Sequence, residues 1–225
     1  MKNLLLLIAV LISVMAGAQD KFAYRIFDKN GVQVDYTSML KNLAEADIVL
    51  FGELHNNAIA HWLEYEVSND LSERRKVILG AEMFEADNQE PLDRYLKGEI
   101  DQEAFDTLAR LWSNYSTDYA PLVELAKKKE LDFVATNIPR SYAGKVHKGG
   151  FEALDSLSKD EKKWIAPLPI TFDPELPTYK EILVMLGDHA TPELVKAQAL
   201  KDATMAHFIL ANYKKKHLFI HYNGR

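Results

Sequence analysis

The chain holds 225 residues, 48% of them hydrophobic, with 33 acidic against 27 basic side chains and a net charge of −6. That is enough chain for one cored domain. Its longest basic runs are residues 127–129 and 214–216, too short for a nucleic-acid footprint. Cysteine is absent, which excludes disulfides, thiolate metal ligands, C-x-x-C-H cofactor attachment and a lipidated cysteine.

The first segment reads as an export signal over residues 1–18. Lys2 supplies the positive start, residues 4–14 are apolar but for Ser13, and Ala16-Gly17-Ala18 precedes Gln19 as a small-residue cleavage site. The apolar run is too short to span a bilayer comfortably. The expectation is an exported protein, periplasmic or extracellular, that is not a lipoprotein and has no stable membrane span after cleavage. Residues 19–225 are expected to form a single domain.

Residues 22–27 and 32–36 flank Asp28-Lys29-Asn30-Gly31, a hairpin signal. A helix follows, capped by Thr37 or Ser38. From there strands alternate with helices. Residues 48–51 form a short apolar strand, and Ile59, Leu63, Val67 and Leu71 then mark one helical face. Residues 76–84 (KVILGAEMF) are a second strand, followed by helices over residues 90–96, 102–111 and 121–129. Residues 131–136 are a third strand. A helix over residues 195–213 leads to a fourth strand, residues 217–222. This order predicts an α/β fold, a mostly parallel sheet flanked by helices, with the N-terminal β-hairpin in front.

Residues 148–194 break the rhythm. They hold five of the eight prolines and two capping-box patterns, Ser158-x-x-Glu161 and Thr178-x-x-Glu181. They are expected to be a helical cap insertion beside the sheet. The chain ends on a strand and a turn signal, HYNGR, so a truncated C-terminus is also expected.

Ligands of parallel sheets gather at the carboxyl ends of the strands. Four strand ends bring Glu53, His55, Asn56 and Asn57; Glu82 and Glu85; Asn137 and Arg140; and His221 and Asn223. Glu53 and His55, two apart, project to one side of an extended backbone. Each residue also has a plainer reading. Glu53 can be a helix cap or a surface group, and Glu82 can mark a mis-set strand end. Arg140 can form a surface ion pair instead of binding an anion. His61 lies opposite the Ile59 stripe, which favours a solvated face over the crevice.

Glu53 and His55, with one of His61, Glu82 or His221, make a chemically sensible three-ligand site for a divalent metal such as zinc. The spacing is not H-E-x-x-H, and neither a G-x-S-x-G elbow nor a Gly-rich phosphate loop is present. The aromatics suggest another ligand. Trp112, Tyr115 and Tyr119 cluster, and Tyr142 and Tyr179 sit near the cap. Apolar walls with a polar mouth suit a flat ligand such as haem, whose axial donor here would be His, Met or Tyr.

Taken together, IVLFGELHNNAIAHW, ILGAEMFEADNQEPLDRYL, VATNIPRSYAGKV and LKDATMAHFI resemble the ChaN-type haem-binding family of exported bacterial proteins. That family is related to the Tiki and erythromycin-esterase-like proteins, which share a G-E-x-H or G-x-x-H element. The resemblance runs from about Ile48 to Gly224. It puts Gly52, Glu53, His55, His61, Glu82, Gln89, Asn137, Pro139, Arg140, Asp202, Met205 and Ala206 at motif positions.

The resemblance implies an α/β sandwich with a helical cap, haem as ligand (in one arrangement a stacked pair within a homodimer), an iron-acquisition role and a tyrosine ligand. Tyr142 and Tyr179 are the candidates for that tyrosine by their nearness to the cap. The haem-binding set expected on this basis is Glu53, His55, His61, Glu82, Asn137, Arg140, Tyr142 and Tyr179. The alternative is a metal-dependent hydrolase in which Glu53 and His55 hold the ion, or His55 activates water. Relatives run on past HYNG, and some are lipoproteins; this chain departs from both.

Overall fold

A computed structural model describes residues 21–224. The export-signal expectation for residues 1–18 falls outside them. Two compact units divide the chain at Tyr36.

The first unit contains the hairpin, trimmed to β1 (Ile26–Phe27) against β2 (Gln33–Val34), with Ile26 opposite Val34. Asp28 organises the turn. Its Oδ1 accepts from the backbone of Asn30 and Val32, each at 2.9 Å, while Gly31 takes φ +77°. Those two donors, Val32's first, hold the Asp28 carboxyl below its usual pKa. The strands are shorter than expected because Phe22, Phe27 and Val32 stay exposed and give the hairpin no buried face to extend along.

α1 (Tyr36–Ala44) follows. The second unit is then built on a four-stranded sheet, entirely parallel, in the order β3 (Ile48–Glu53), β6 (Leu218–Gly224), β4 (Val77–Glu85), β5 (Asp132–Asn137). The last strand in sequence is therefore an inner one. Its residues Leu218, Phe219, Ile220 and Tyr222 are fully buried, as an inner strand of a covered parallel sheet requires. Packing there is tight. A Cβ on Gly80 would come within 2.7 Å of the Phe219 ring, so β4 and β6 approach only because position 80 has no side chain.

α2 (Ala58–Ser72) joins β3 to β4. α3 (Gln89–Leu96), α4 (Gln102–Leu108) and α5 (Ala120–Lys129) join β4 to β5. α6 (Arg140–Gly149), α7 (Pro177–Leu186) and α8 (Pro192–Asn212) lead on to β6. No helix among the described residues is long and apolar enough to cross a membrane. Gln89, at the start of α3, covers the open edge of β5. Its Nε2 donates to the Phe133 carbonyl at 2.9 Å, and its Oε1 accepts from Ala135 N at 2.7 Å, mimicking the missing strand neighbour.

The expected helical cap is less helical than its sequence suggests. Short 3₁₀ turns at Phe151–Ser156 and Glu161–Trp164 precede α7. The Ser158/Glu161 capping box forms reciprocally, at 2.8 and 3.2 Å. The Thr178/Glu181 pattern does not, because α7 starts one residue earlier, at Pro177, a residue suited to a helix's first position. Leu154, Leu157 and Ile165 of this segment pack with Ile138, Tyr142 and Val146 and with Leu200 of α8.

Candidate functional site

β3 delivers Glu53 into the interior, 2% exposed, and the chain then turns into α2. Asn57 serves that turn. Its Oδ1 accepts from Ile59 N and Ala60 N at 3.0 and 3.1 Å, so it is a helix cap and not one of the rim ligands expected. The cap starts α2 with His61 and Glu64 three residues apart on its inner face. His61 is 7% exposed, which corrects the solvated-face reading: Trp62, not His61, lies outward.

Glu53 is the hub. Its Oε1 accepts from His55 Nδ1 at 2.7 Å and from the Tyr119 hydroxyl at 2.8 Å. Its Oε2 lies 3.0 Å from His61 Nδ1, but off the line a ring N–H would need, and receives no hydrogen bond. The same Nδ1 faces Glu64 Oε2 at 3.1 Å. On its other side, the His61 ring points Nε2 at the His55 carbonyl (3.2 Å), with Asp118 Oδ2 at 3.7 Å. Glu64 is wholly buried and its Oε1 has no partner. Burial, then the negative charge of Glu53, pushes the Glu64 carboxyl up to about 9.

One wall of this cluster comes from a single π-turn, Tyr115–Tyr119, which presents Asp118 and Tyr119 together. Tyr119 packs edge-on against His61 (5.1 Å between ring centroids), and Trp112 edge-on against His55 (4.9 Å). Asn114 donates to the His55 carbonyl at 2.9 Å and to Asp118 at 2.8 Å. Burial, then the bond to Glu53, raises the Tyr119 hydroxyl pKa. Glu64, Asn114 and Asp118 were not singled out in the sequence. Only the i, i+3 spacing of His61 and Glu64 carried a signal for one of them.

Glu82 joins from β4. The β4–β5 register shifts between Ala81 and Glu85, a bulge that frees Glu82 from the ladder. Its Oε2 accepts from Gly224 N at 2.8 Å. A Cβ on Gly224 would fall 2.7 Å from the His55 ring and 3.6 Å from Glu82 Oε2, so the two side chains flank one glycine. Asn137 supports the bulge, donating to the Glu82 carbonyl at 2.9 Å.

The other expected residues lie elsewhere. His221 is 1% exposed and bonded to Thr136 Oγ1 at 2.7 Å and Asn223 Oδ1 at 3.2 Å. Its register partner is Leu50, whereas Gly224 pairs Glu53, so the two-residue alternation turns His221 to the opposite sheet face and away from the cluster. Burial pulls the His221 imidazole down to about 4. Tyr142 is packed in the apolar group around Val146 and Leu154. The Tyr179 hydroxyl donates to Asp202 Oδ2 at 3.0 Å. Both tyrosines are buried in the packing of the cap segment with α6 and α8.

Arg140, exposed at the start of α6, belongs to a cleft of about 910 Å³. The cleft runs from the end of β5 between α6, α8 and the segment carrying Trp112. Ile138, Ala143, Leu194 and Ala197 give it apolar surface; Arg140, Lys201 and His147 line it with cationic or imidazole groups. Arg110, also on its wall, is held by Glu85 at 2.8 Å and by Asp87. Of the cap segment only Leu194 contributes, and no lining residue is a tyrosine.

Residues 39–225 match the sequence model of a family described as haem-binding uptake, Tiki superfamily, ChaN. Comparison with curated proteins returns no match. Among solved structures, that of cofacial heme binding to ChaN of Campylobacter jejuni superposes with a TM-score of 0.66 at 20% identity. It covers 89% of this chain and 79% of the other. That likeness is one of fold.

Proposed function

The chain belongs to the ChaN family of haem-binding uptake proteins in the Tiki superfamily, and on that premise we propose that it is an exported haem-uptake protein whose ligand occupies the cleft between β5, α6 and α8. The observation that carries the location is the cleft itself. At about 910 Å³ it is within the range of small-molecule and cofactor pockets. It joins an apolar wall to a basic mouth, which suits a flat macrocycle with two carboxylates.

Ile138, Ala143, Leu194 and Ala197 would exclude water from the faces of the ring. Arg140 and Lys201 would pair with the propionates. His147, in the last turn of α6, supplies an imidazole on the cleft wall and is the candidate iron donor in place of a tyrosine. Bound haem would contribute an iron centre in need of such an axial donor. The export pattern of residues 1–18 supports a location outside the cytoplasm, where haem capture serves iron acquisition.

Haemin titration of residues 19–225 tests this reading. A saturable, shifted Soret band is expected, altered in position by His147→Ala. Absence of a saturable shift in the folded protein would overturn haem binding. An unchanged band in His147→Ala would remove the donor assignment. Sedimentation of the loaded protein reports whether a homodimer forms.

A further inference from the structure

We infer that Glu53, His61 and Glu64 form a buried binding site for one first-row divalent cation, separate from the haem cleft. The inference rests on the direction of lone pairs. A carbonyl oxygen can only accept, so the His61 Nε2 contact with the His55 carbonyl places a proton on Nε2. Nδ1 is then turned inward at two carboxylate oxygens, Glu53 Oε2 at 3.0 Å and Glu64 Oε2 at 3.1 Å.

A proton on Nδ1 would serve one of those oxygens. It would leave Glu53 Oε2 off its axis and Glu64 Oε1 without a partner, and both atoms lack a hydrogen bond. Glu53 and Glu64 are 2% and 0% exposed, so water does not compensate them from outside. A cation at the common focus would take the His61 Nδ1 lone pair, Glu53 Oε2 and one oxygen of Glu64 together and neutralise both carboxylates.

The distances suit a metal. Bonds of about 2.0–2.2 Å place neighbouring donors of a tetrahedral or octahedral ion about 2.8–3.6 Å apart. One ligand atom from each of the three residues lies within 4.8 Å of the other two. The surroundings suit one as well. Metal-bound imidazoles commonly donate their other ring N–H to a backbone carbonyl, and metal-bound carboxylates are steadied on the oxygen that does not bind. Here His61 has the His55 carbonyl, and Glu53 Oε1 has the His55 ring and the Tyr119 hydroxyl. Two carboxylates and an imidazole favour Mn²⁺, Fe²⁺ or Zn²⁺ over soft, thiolate-seeking ions. His55, with its side chain 46% exposed, and Asp118, 20% exposed, mark the side open to entry.

The test is calorimetric titration of chelator-stripped protein with MnCl₂ and separately with ZnCl₂, with bound metal counted by elemental analysis. One equivalent is expected. Glu64→Gln, which keeps the side-chain shape, and His61→Gln should each weaken binding at least 100-fold. His147→Ala, in the haem cleft, should leave it unchanged. In the wild type, saturating metal should raise the melting temperature and broaden the Mn²⁺ resonance; Glu64→Gln should show neither effect. Failure of the wild type to take up either ion, or metal binding by Glu64→Gln as tight as the wild type's, would overturn the site. Haemin titration of Glu64→Gln keeps the two readings apart. An intact Soret response with lost metal binding is expected, and parallel loss of both in a folded variant would refute the separation.

Discussion

Two polar constellations sit near the carboxyl ends of the same sheet, and they are opposites. The Glu53–His61–Glu64 cluster is dry and crowded with acceptors, and is fixed by hydrogen bonds on its outer atoms. The Arg140–His147–Lys201 cleft is roomy and lined by apolar side chains together with basic ones and Glu85. Between them runs the stretch from Trp112 to Tyr119. Trp112 lines the cleft and touches the His55 ring, and Asn114 lines the cleft and donates to the His55 carbonyl. On the two proposals above, one fold would keep a site for a small cation beside one for a large anionic ligand. Burial separates them: a low-dielectric pocket magnifies each charge, and an open cleft screens it.

Removing the imidazole from the dry cluster is expected to have the largest effect. His61→Ala removes a buried ring, its bond to the His55 carbonyl and the packing against Tyr119, and leaves a cavity beside two buried carboxyl groups. A large-to-small change of this kind in the interior costs about 3–5 kcal/mol, so urea unfolding should lose stability on that scale. The matching change in the cleft, Arg140→Ala, should cost under about 0.5 kcal/mol, because Arg140 is exposed. Equal losses would abolish the distinction between the two regions.

A pH series sharpens the same contrast on the opposite sheet face. His221 is pulled to about 4 from an ordinary 6.5 by burial, so the folded protein keeps it neutral. Between those values the unfolded chain binds the extra proton and the native state does not. Stability from this group is full above pH 6.5 and declines as pH falls toward 4, by up to about 3 kcal/mol. Acidification also acts on the rest of the chain. The informative quantity is therefore the wild-type stability minus that of His221→Gln, measured from pH 7 to 4. That difference should shrink on acidification.

In the cleft, effects should be small and salt-dependent. Arg140→Ala is expected to weaken haemin binding about threefold at low ionic strength, in keeping with the value of an exposed ion pair. The difference should fade as salt rises. A salt-independent loss of 100-fold would mean that Arg140 is desolvated on binding and that the cleft resembles the dry cluster more than it does the surface.

The sheet was legible from sequence because its signals are local. Apolar runs at residues 48–51, 76–84, 131–136 and 217–222 stand between helical periodicities, and that order specifies a parallel α/β arrangement. Glu53, His55 and Glu82 were legible for a related reason, since each ends or interrupts an apolar run at a strand end. The misreadings share another cause. His61 was set on a solvated face because its helix was read against one apolar stripe, while a buried carboxylate from β3 drew the polar flank inward. His221 was placed at the rim because sequence gives a strand's end but not the face each residue takes. Asp118 and Asn114 depend on a π-turn, which leaves no periodicity to find. Tyr142 and Tyr179 were chosen by nearness to the cap, and the cap buries them in its own packing.

The finest test concerns Gly224, the residue flanked by both His55 and Glu82. A Cβ there meets the His55 ring at 2.7 Å, and that ring, its side chain 46% exposed, must give way rather than backbone. Gly224→Ala should therefore cost about 1 kcal/mol in unfolding measurements, the net scale of one lost hydrogen bond, here His55 to Glu53. Its consequence should appear at the hub instead. Displacing His55 removes one of the two donors from Glu53 Oε1, leaving the Tyr119 hydroxyl. If outer-atom hydrogen bonds hold Glu53 in its binding pose, Mn²⁺ affinity should fall about tenfold, the lower end for loss of such a supporting contact, while haemin affinity stays put. Haemin affinity falling with it would show that His55 serves the cleft as much as the cluster, and the boundary between the two sites would have to be redrawn on the other side of that ring.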